Sequence, residues 1–158
     1  MESKLDQIIS DSNNLISNLI HSIDKKILLS FNKELSRFNL SFQQAMIILY
    51  IAKHSGEKTY QKDIEIYMGL KNPSVTSLIK NLISNDFVYR IKDENDGRYY
   101  HLHLTPKSLA IKDDLIDSIQ NMNVYIETIL NEKEYKSFIS SLVKINEKLK
   151  NIANQEDE

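Results

Sequence analysis

The chain has 158 residues and a mass of 18.4 kDa, enough for one domain of ordinary size and too few for a multi-domain enzyme. It is 41% hydrophobic and 27% charged, with three glycines, two prolines and no cysteine, which excludes collagen, low-complexity linker, disorder, disulfide frameworks and thiolate chemistry. Its net charge of −2 is unevenly spread, because Lys58 to Lys107 carries eight basic residues against six acidic ones and the flanks hold the acidic excess.

In chain order, Leu5, Ile8, Ile9, Ile16, Leu19, Ile20, Ile23, Ile27, Phe31, Leu35 and Phe38 recur at spacings of three and four. They predict one amphipathic helix of about 30 residues, roughly 45 Å long, ending near Arg37. Ser41 with Gln44 forms a capping-box pattern that opens a short helix from Phe42 to Ala52, with Leu40 placed to pack back on its first turn. Thr59 is positioned to cap a second short helix through Met68, which Gly69 ends. Asn72 is positioned to cap a third, with Pro73 at its first turn, running to about Ser84.

The period then changes from 3.6 to 2. Phe87 to Lys92 and Tyr99 to Leu104 alternate as strands around Asp93 to Arg98, where Asp96-Gly97 is a tight-turn pair. Thr105-Pro106 opens a long helix with its stripe at Leu109, Leu115, Ile116, Ile119, Met122, Ile126 and Ile129. Asn131 with Glu134 caps the last helix, whose stripe includes Tyr135, Phe138, Ile139, Leu142, Val143, Ile145, Leu149 and Ile152. All five glycines and prolines fall between positions 56 and 106, so the helical arms flank a compact centre. No stretch is long and apolar enough to span a membrane, and Met1 to Asp11 lacks the order of a signal peptide, so a cytoplasmic location is expected.

The third short helix commits Val75, Leu78, Ile79 and Leu82 to the core. Its other face carries Ser74, Thr76, Ser77, Lys80, Asn81 and Ser84, which are short hydrogen-bonding groups and one cation without a carboxylate. A helix laid beside phosphates must avoid carboxylates, whereas a merely solvated face more often mixes both signs. Two of the three arginines, Arg90 and Arg98, flank the hairpin, against seventeen lysines in the whole chain. That bias suggests a demand for planar, forked donors, and Arg98 could enter a minor groove with Asp96 as its brace.

These segments together resemble the MarR family of winged helix-turn-helix transcription regulators. The resemblance rests on Leu40-Ser41-Phe42-Gln43-Gln44, Gln61-Lys62-Asp63-Ile64, Pro73 to Leu82, Phe87-Val88-Tyr89-Arg90, Asp96-Gly97-Arg98 and Leu102-His103-Leu104-Thr105. It runs from about residue 40 to 110. The fold it implies is mainly α (α+β), with a winged helix-turn-helix core and a two-stranded wing. Long N- and C-terminal helices would form a dimerisation domain.

The expected division is an N-terminal dimerisation helix over 1–40, the DNA-binding region over 41–104 and C-terminal dimerisation helices over 105–158. The resemblance implies that Ser74, Thr76, Ser77, Lys80 and Asn81 belong to a recognition helix, that Arg90 contacts backbone phosphate, and that Arg98, oriented by Asp96, enters the minor groove. Ser77 stands where many relatives have arginine, Gly97 where the wing often has its first arginine, and Ser108 where a glycine commonly follows the Leu-Thr pair. Fewer arginines imply a larger share of shape and water-mediated readout.

The partners expected are a second copy of the chain, double-stranded DNA with a pseudo-palindromic operator, and a small aromatic effector that releases it, with no membrane and no cofactor. Phe31, Phe38, Tyr50 and Tyr125 are candidates for the effector pocket, although aromatics at helical spacing are more often plain core. His101 and His103 share a strand face at a spacing that can hold a metal, but no carboxylate cluster completes a site, so no metal is expected. No catalytic elbow, phosphate loop or paired-carboxylate frame is present, and the chain is not expected to be an enzyme. The alternative is a winged-helix protein-interaction module, antirepressor-like, without its own operator binding.

Overall fold

The computed structural model describes residues 15–155, which divide into two compact units, one ending at Ile119 and one beginning at Gln120. In chain order the elements are α1 (Ile16–Leu35), α2 (Phe42–Lys53), β1 (Thr59–Tyr60), α3 (Gln61–Met68), α4 (Asn72–Ser84), β2 (Val88–Lys92), β3 (Tyr100–Leu104), α5 (Pro106–Glu127) and α6 (Glu132–Gln155). Helix dominates, with one small antiparallel sheet.

The N-terminal rod is shorter than its apolar repeat suggested. Helix α1 has 20 residues, because Leu15 is extended at one end and a 3-10 turn over Ser36–Phe38 with left-handed Asn39 closes the other. Leu5, Ile8 and Ile9 lie outside the described residues, as do 156–158 and the side chains of Ile126 and Ile152. The Arg37 guanidinium, though half exposed, is engaged within the chain: it donates to Ser118 Oγ at 2.7 Å, pairs with Glu34 at 3.5 Å and lies over the Phe38 ring.

The capping box on α2 forms as expected. Ser41 Oγ accepts the Gln44 N–H at 3.3 Å and Gln44 Oε1 accepts the Ser41 N–H at 2.8 Å, with Leu40 buried behind them.

Two of the other expected caps are corrected. Thr59 does not cap α3; it is buried in β1, paired with Leu102, and the Asp63 carboxylate holds the Tyr60 N–H at 2.8 Å instead. A two-residue strand leaves no alternation to read, so the sheet has three strands in the order β1-β3-β2 rather than two. Asn72 does not cap α4 either. The cap position is Lys71, whose carbonyl accepts from Ser74 and Val75, while the Asn72 amide donates to Glu65 at 2.6 Å. Gly69 ends α3 in the left-handed region, φ +61°, where a residue with a β-carbon would be strained.

The hairpin strands pair with Val88 opposite Leu104 and Lys92 opposite Tyr100. The expected tight turn at Asp96-Gly97 forms, closed by the Tyr99 N–H on the Asp96 carbonyl at 2.9 Å, but Gly97 is not left-handed and the turn sits at the end of a longer loop whose backbone Asp93 organises.

Thr105 caps α5 by accepting the Ser108 N–H at 3.3 Å, and its own hydroxyl donates to the Asp86 carbonyl at 2.7 Å. Fully buried Ser108 donates to the Phe87 carbonyl at 2.6 Å, which fastens α5 to the start of the wing. The buried register of α5 is Ile111, Leu115 and Ile119; Leu109, expected on that stripe, is 57% exposed. In the second unit Asn131 and Glu134 cap α6 reciprocally, at 2.9 and 3.0 Å.

The core of the first unit gathers Leu35, Leu40, Ile47, Ile48, Ile64, Val75, Ile79, Leu82, Phe87, Val88, Leu102 and Leu115. It seats α4 firmly on α2, α3 and the sheet. Ile48 is fully buried, and Ile48→Ala is expected to cost about 3 kcal/mol and lower Tm by roughly 10 °C, checked by thermal denaturation.

Each unit also leaves apolar surface uncovered. In the first, Ile16, Leu19, Ile20 and Ile23 on α1 are 44–68% exposed. In the second, Phe138, Ile139, Val143, Ile145 and Leu149 on α6 are 40–58% exposed. No helix among the described residues is long and apolar enough to cross a membrane.

Candidate nucleic-acid interface

Helix α4 turns Val75, Ile79 and Leu82 inward, which fixes the direction of its other side chains. Ser74, Ser77 and Lys80 are exposed. Thr76 is half-buried and engaged, since its Oγ1 accepts from Gln61 at 2.8 Å and donates to Asn72 Oδ1 at 3.3 Å. Asn81 is exposed, but its Oδ1 already accepts from Gln44 at 2.5 Å and Asn85 at 3.2 Å. The structure therefore separates the five candidates on α4 into three outward-facing groups and two that are tied to α2 and α3.

Glu65 is the hub that ties α3 to α4. It is buried and accepts from Gln61 at 3.2 Å, Lys62 at 3.2 Å and Asn72 at 2.6 Å. Those donors, Gln61 foremost, hold its carboxyl below the usual glutamate value. Nothing local in the sequence marks it, because a lone carboxylate in a polar helix has no distinguishing pattern.

At the wing tip, Arg98 is 83% exposed and bound twice by Asp96, Nε to Oδ1 at 3.0 Å and Nη2 to Oδ2 at 2.7 Å. Asp96 also accepts the Arg98 N–H at 3.1 Å; the guanidinium first, and this backbone N–H second, keep its carboxyl below the ordinary range. The guanidinium is thus held in one orientation. Arg90 projects from β2 into the same groove, a concavity of about 780 Å³ lined by Gln61, Lys62, Glu65 and Asn72 on the helical side and by Arg90, Arg98 and Tyr100 on the wing.

The wing loop has a buried anchor that the sequence did not advertise. Asp93 is 7% exposed and accepts from Lys58 Nζ at 2.8 Å, Tyr60 Oη at 2.5 Å, and the N–H groups of Asn95 and Asp96 at 2.8 and 3.2 Å. The Lys58 ammonium, followed by the Tyr60 hydroxyl and the loop amides, holds its carboxyl well below the usual carboxylate range. A depressed carboxyl stabilises fully above its unfolded pKa, about 4, and progressively less as pH falls below it, so the loop should stay ordered through neutral pH and loosen in acid. Asp93→Ala is expected to remove amide-exchange protection at Asn95 and Asp96 without changing helical circular dichroism.

Charge matching follows the same division. Lys58, Lys62 and Arg98 each have a carboxylate partner, whereas among the described residues Lys71, Lys80, Arg90 and Lys92 form no ion pair. The basic excess of the middle segment therefore sits on free cations around α4 and the wing.

His101 and His103 share a hydrogen bond, Nδ1 to Nε2 at 2.5 Å, and burial, with the neighbouring His101, pushes the His103 pKa down. Tyr89 stacks on His103 and Tyr60 meets His101 edge-on. Among the described residues no group of three His, Asp or Glu could hold a metal. Of the aromatics proposed for an effector pocket, Phe31 is buried against Phe42, Phe38 packs on the core, and Tyr50 meets His54 and Tyr67 with tilted rings. Tyr125 belongs to the second unit and is 65% exposed.

Comparison with known proteins agrees with this fold. The family model of the transcriptional regulators SarA/Rot matches residues 29–115, more than half of the chain. The HTH-type transcriptional regulator SarZ of Staphylococcus aureus is 26% identical over 124 residues, covering 78% of this chain and 81% of that protein. The S. aureus MepR–DNA complex superposes with a TM-score of 0.76 at 22% identity, covering 85% of this chain and 96% of that one. MarR from Oenococcus oeni PSU-1 gives 0.69 at 20% identity, covering 84% and 98%. With the SarA/Rot pattern running from the end of α1 to the middle of α5, this chain belongs to the SarA/Rot family of transcriptional regulators and has the MarR-like winged-helix fold.

Proposed function

We propose that the chain acts as a homodimeric regulator, and as a repressor, that binds an inverted-repeat operator through α4 and the wing. The observation that carries this reading is the exposed Arg98, fixed by Asp96 over the groove that also holds the unpaired Arg90. A guanidinium held this way is suited to the negative potential of a narrow minor groove, and Arg90 to a backbone phosphate. Ser74, Ser77 and Lys80 face outward where a recognition helix meets base edges, with Thr76 and Asn81 beside them. Of the two solved structures above, the one with the higher TM-score is a DNA complex, which supports the same use of this surface.

The apolar faces left open on α1 and, separately, on α6 support a second copy as their cover. A two-fold dimer presents two winged domains to half-sites one DNA turn apart. A small aromatic effector remains part of the proposal as the releasing signal.

Band-shift titration on the DNA upstream of the gene, with a scrambled duplex of equal length as competitor, tests the reading. Preference for the upstream duplex by at least about a hundredfold at physiological salt is the expected result. Equal affinity for both, or none, would instead favour a winged-helix module that works by protein contacts.

A further inference from the structure

We infer that Gln44 decides which hydrogen-bonding group Asn81 offers to DNA, so that α4 presents amide donors and no amide acceptor at this position. The inference rests on the DNA-binding reading above. It follows from a chain of hydrogen bonds that begins at a group whose role is fixed.

The Ser41 backbone N–H can only donate. It donates to Gln44 at 2.8 Å, so that atom of Gln44 is its carbonyl oxygen Oε1. The other arm of the Gln44 amide is then the NH2 group, and it points at Asn81, 2.5 Å away. A donor there needs an acceptor, which makes the facing atom of Asn81 its Oδ1. The Asn85 amide, anchored on the Asn81 backbone carbonyl at 2.9 Å, donates to the same side-chain oxygen at 3.2 Å, which favours this orientation of Asn81.

Gln44 is 9% exposed and its amide oxygen is held by the capping box, so turning the amide over would break its bond from the Ser41 N–H and its bond to Asn81 together. The Asn81 oxygen is therefore spent inside the protein. Its Nδ2 is the group left for an outside partner, on a residue that is itself exposed.

Recognition of adenine by asparagine uses both amide arms, accepting from N6 while donating to N7. With Oδ1 occupied, that pairing is closed to Asn81. The chemistry it can recognise is a hydrogen-bond acceptor on DNA: either a base-edge acceptor such as guanine O6 or N7, or a phosphate oxygen. Gln44, buried one helix away, thereby acts as a positioning residue for readout.

Gln44→Glu isolates this role. A glutamate keeps the capping box, since its carboxylate accepts the Ser41 N–H equally well, but it has no donor for Asn81. Asn81 must then turn its NH2 inward and its oxygen out. Fluorescence anisotropy on the upstream duplex and a scrambled duplex, with wild type, Gln44→Glu, Asn81→Ala and the double variant, reads the consequence. Thermal melts confirm that each variant folds.

We expect Gln44→Glu to weaken binding about tenfold, and to change affinity less than twofold when added to Asn81→Ala. A loss confined to the upstream duplex identifies a base-edge acceptor, and an equal loss on both duplexes identifies a phosphate. Wild-type affinity in Gln44→Glu overturns the inference, as does an undiminished loss in the Asn81→Ala background, which would mean that the added charge alone is responsible. A wild-type chain that binds neither duplex overturns the DNA-binding reading and this assignment with it.

Discussion

Placing two carboxylates on the open face of α1, with Ile20→Glu and Ile23→Glu together, is expected to turn the proposed dimer into monomers and to lower operator affinity at least a hundredfold. Both side chains are nearly half exposed in the single chain, at 44% and 47%, so the charges meet water rather than core and the unit should still fold. The proposed dimer would cover the same positions, and an unpaired carboxylate buried there would be strongly unfavourable. Losing the partner also removes the second reading head, which converts one bivalent encounter into a single weak one. Sedimentation shows the mass and anisotropy shows the affinity. A dimer that survives both substitutions would mean that α1 is not the contact.

Arg98→Ala carries the second large effect, a loss of roughly ten- to a hundredfold in operator affinity with the fold intact. The side chain is exposed and supports no core contact, so thermal stability should hold. Each protomer loses one cation at the DNA, and the plot of log affinity against log salt should flatten by about one per protomer. Asp96→Ala should cost less, because the cation remains and only its orientation is lost. Arg37→Ala is the control: that guanidinium is held by Ser118 and Glu34, so its loss should lower stability and leave the salt slope unchanged. Matching slopes for wild type and Arg98→Ala would remove Arg98 from the interface.

The legible parts of this fold are those with a periodic or local chemical signature. The stripe Val75, Ile79 and Leu82 predicts which face of α4 is buried, and the Ser41–Gln44 and Asn131–Glu134 caps follow from spacing alone. The Asp96–Arg98 brace is legible for the same reason, since two residues of separation on a turn bring the groups together.

What the sequence hid depends on partners distant in the chain. Thr59 has the chemistry of a cap, yet pairing with Leu102, 43 positions away, draws it into a strand. Asn72 likewise abandons the cap position for buried Glu65. Asp93 has nothing local to distinguish it from its acidic neighbours Glu94 and Asp96; Lys58 and Tyr60 from β1 and the preceding loop make it the anchor. Within the candidate site the outward direction of Ser74, Ser77 and Lys80 was readable from the helical wheel. The capture of Asn81 by Gln44 was not, because no periodicity links positions 44 and 81.

Hydroxyl-radical footprinting of the wild-type protein on the DNA upstream of its gene measures the paired-head arrangement itself. Two protected half-sites related by two-fold symmetry and centred about one helical turn apart, flanked by minor-groove protections that vanish in Arg98→Ala, are the predicted pattern. A single unsymmetrical patch, or protection that is unchanged when Arg98 is replaced, would contradict it.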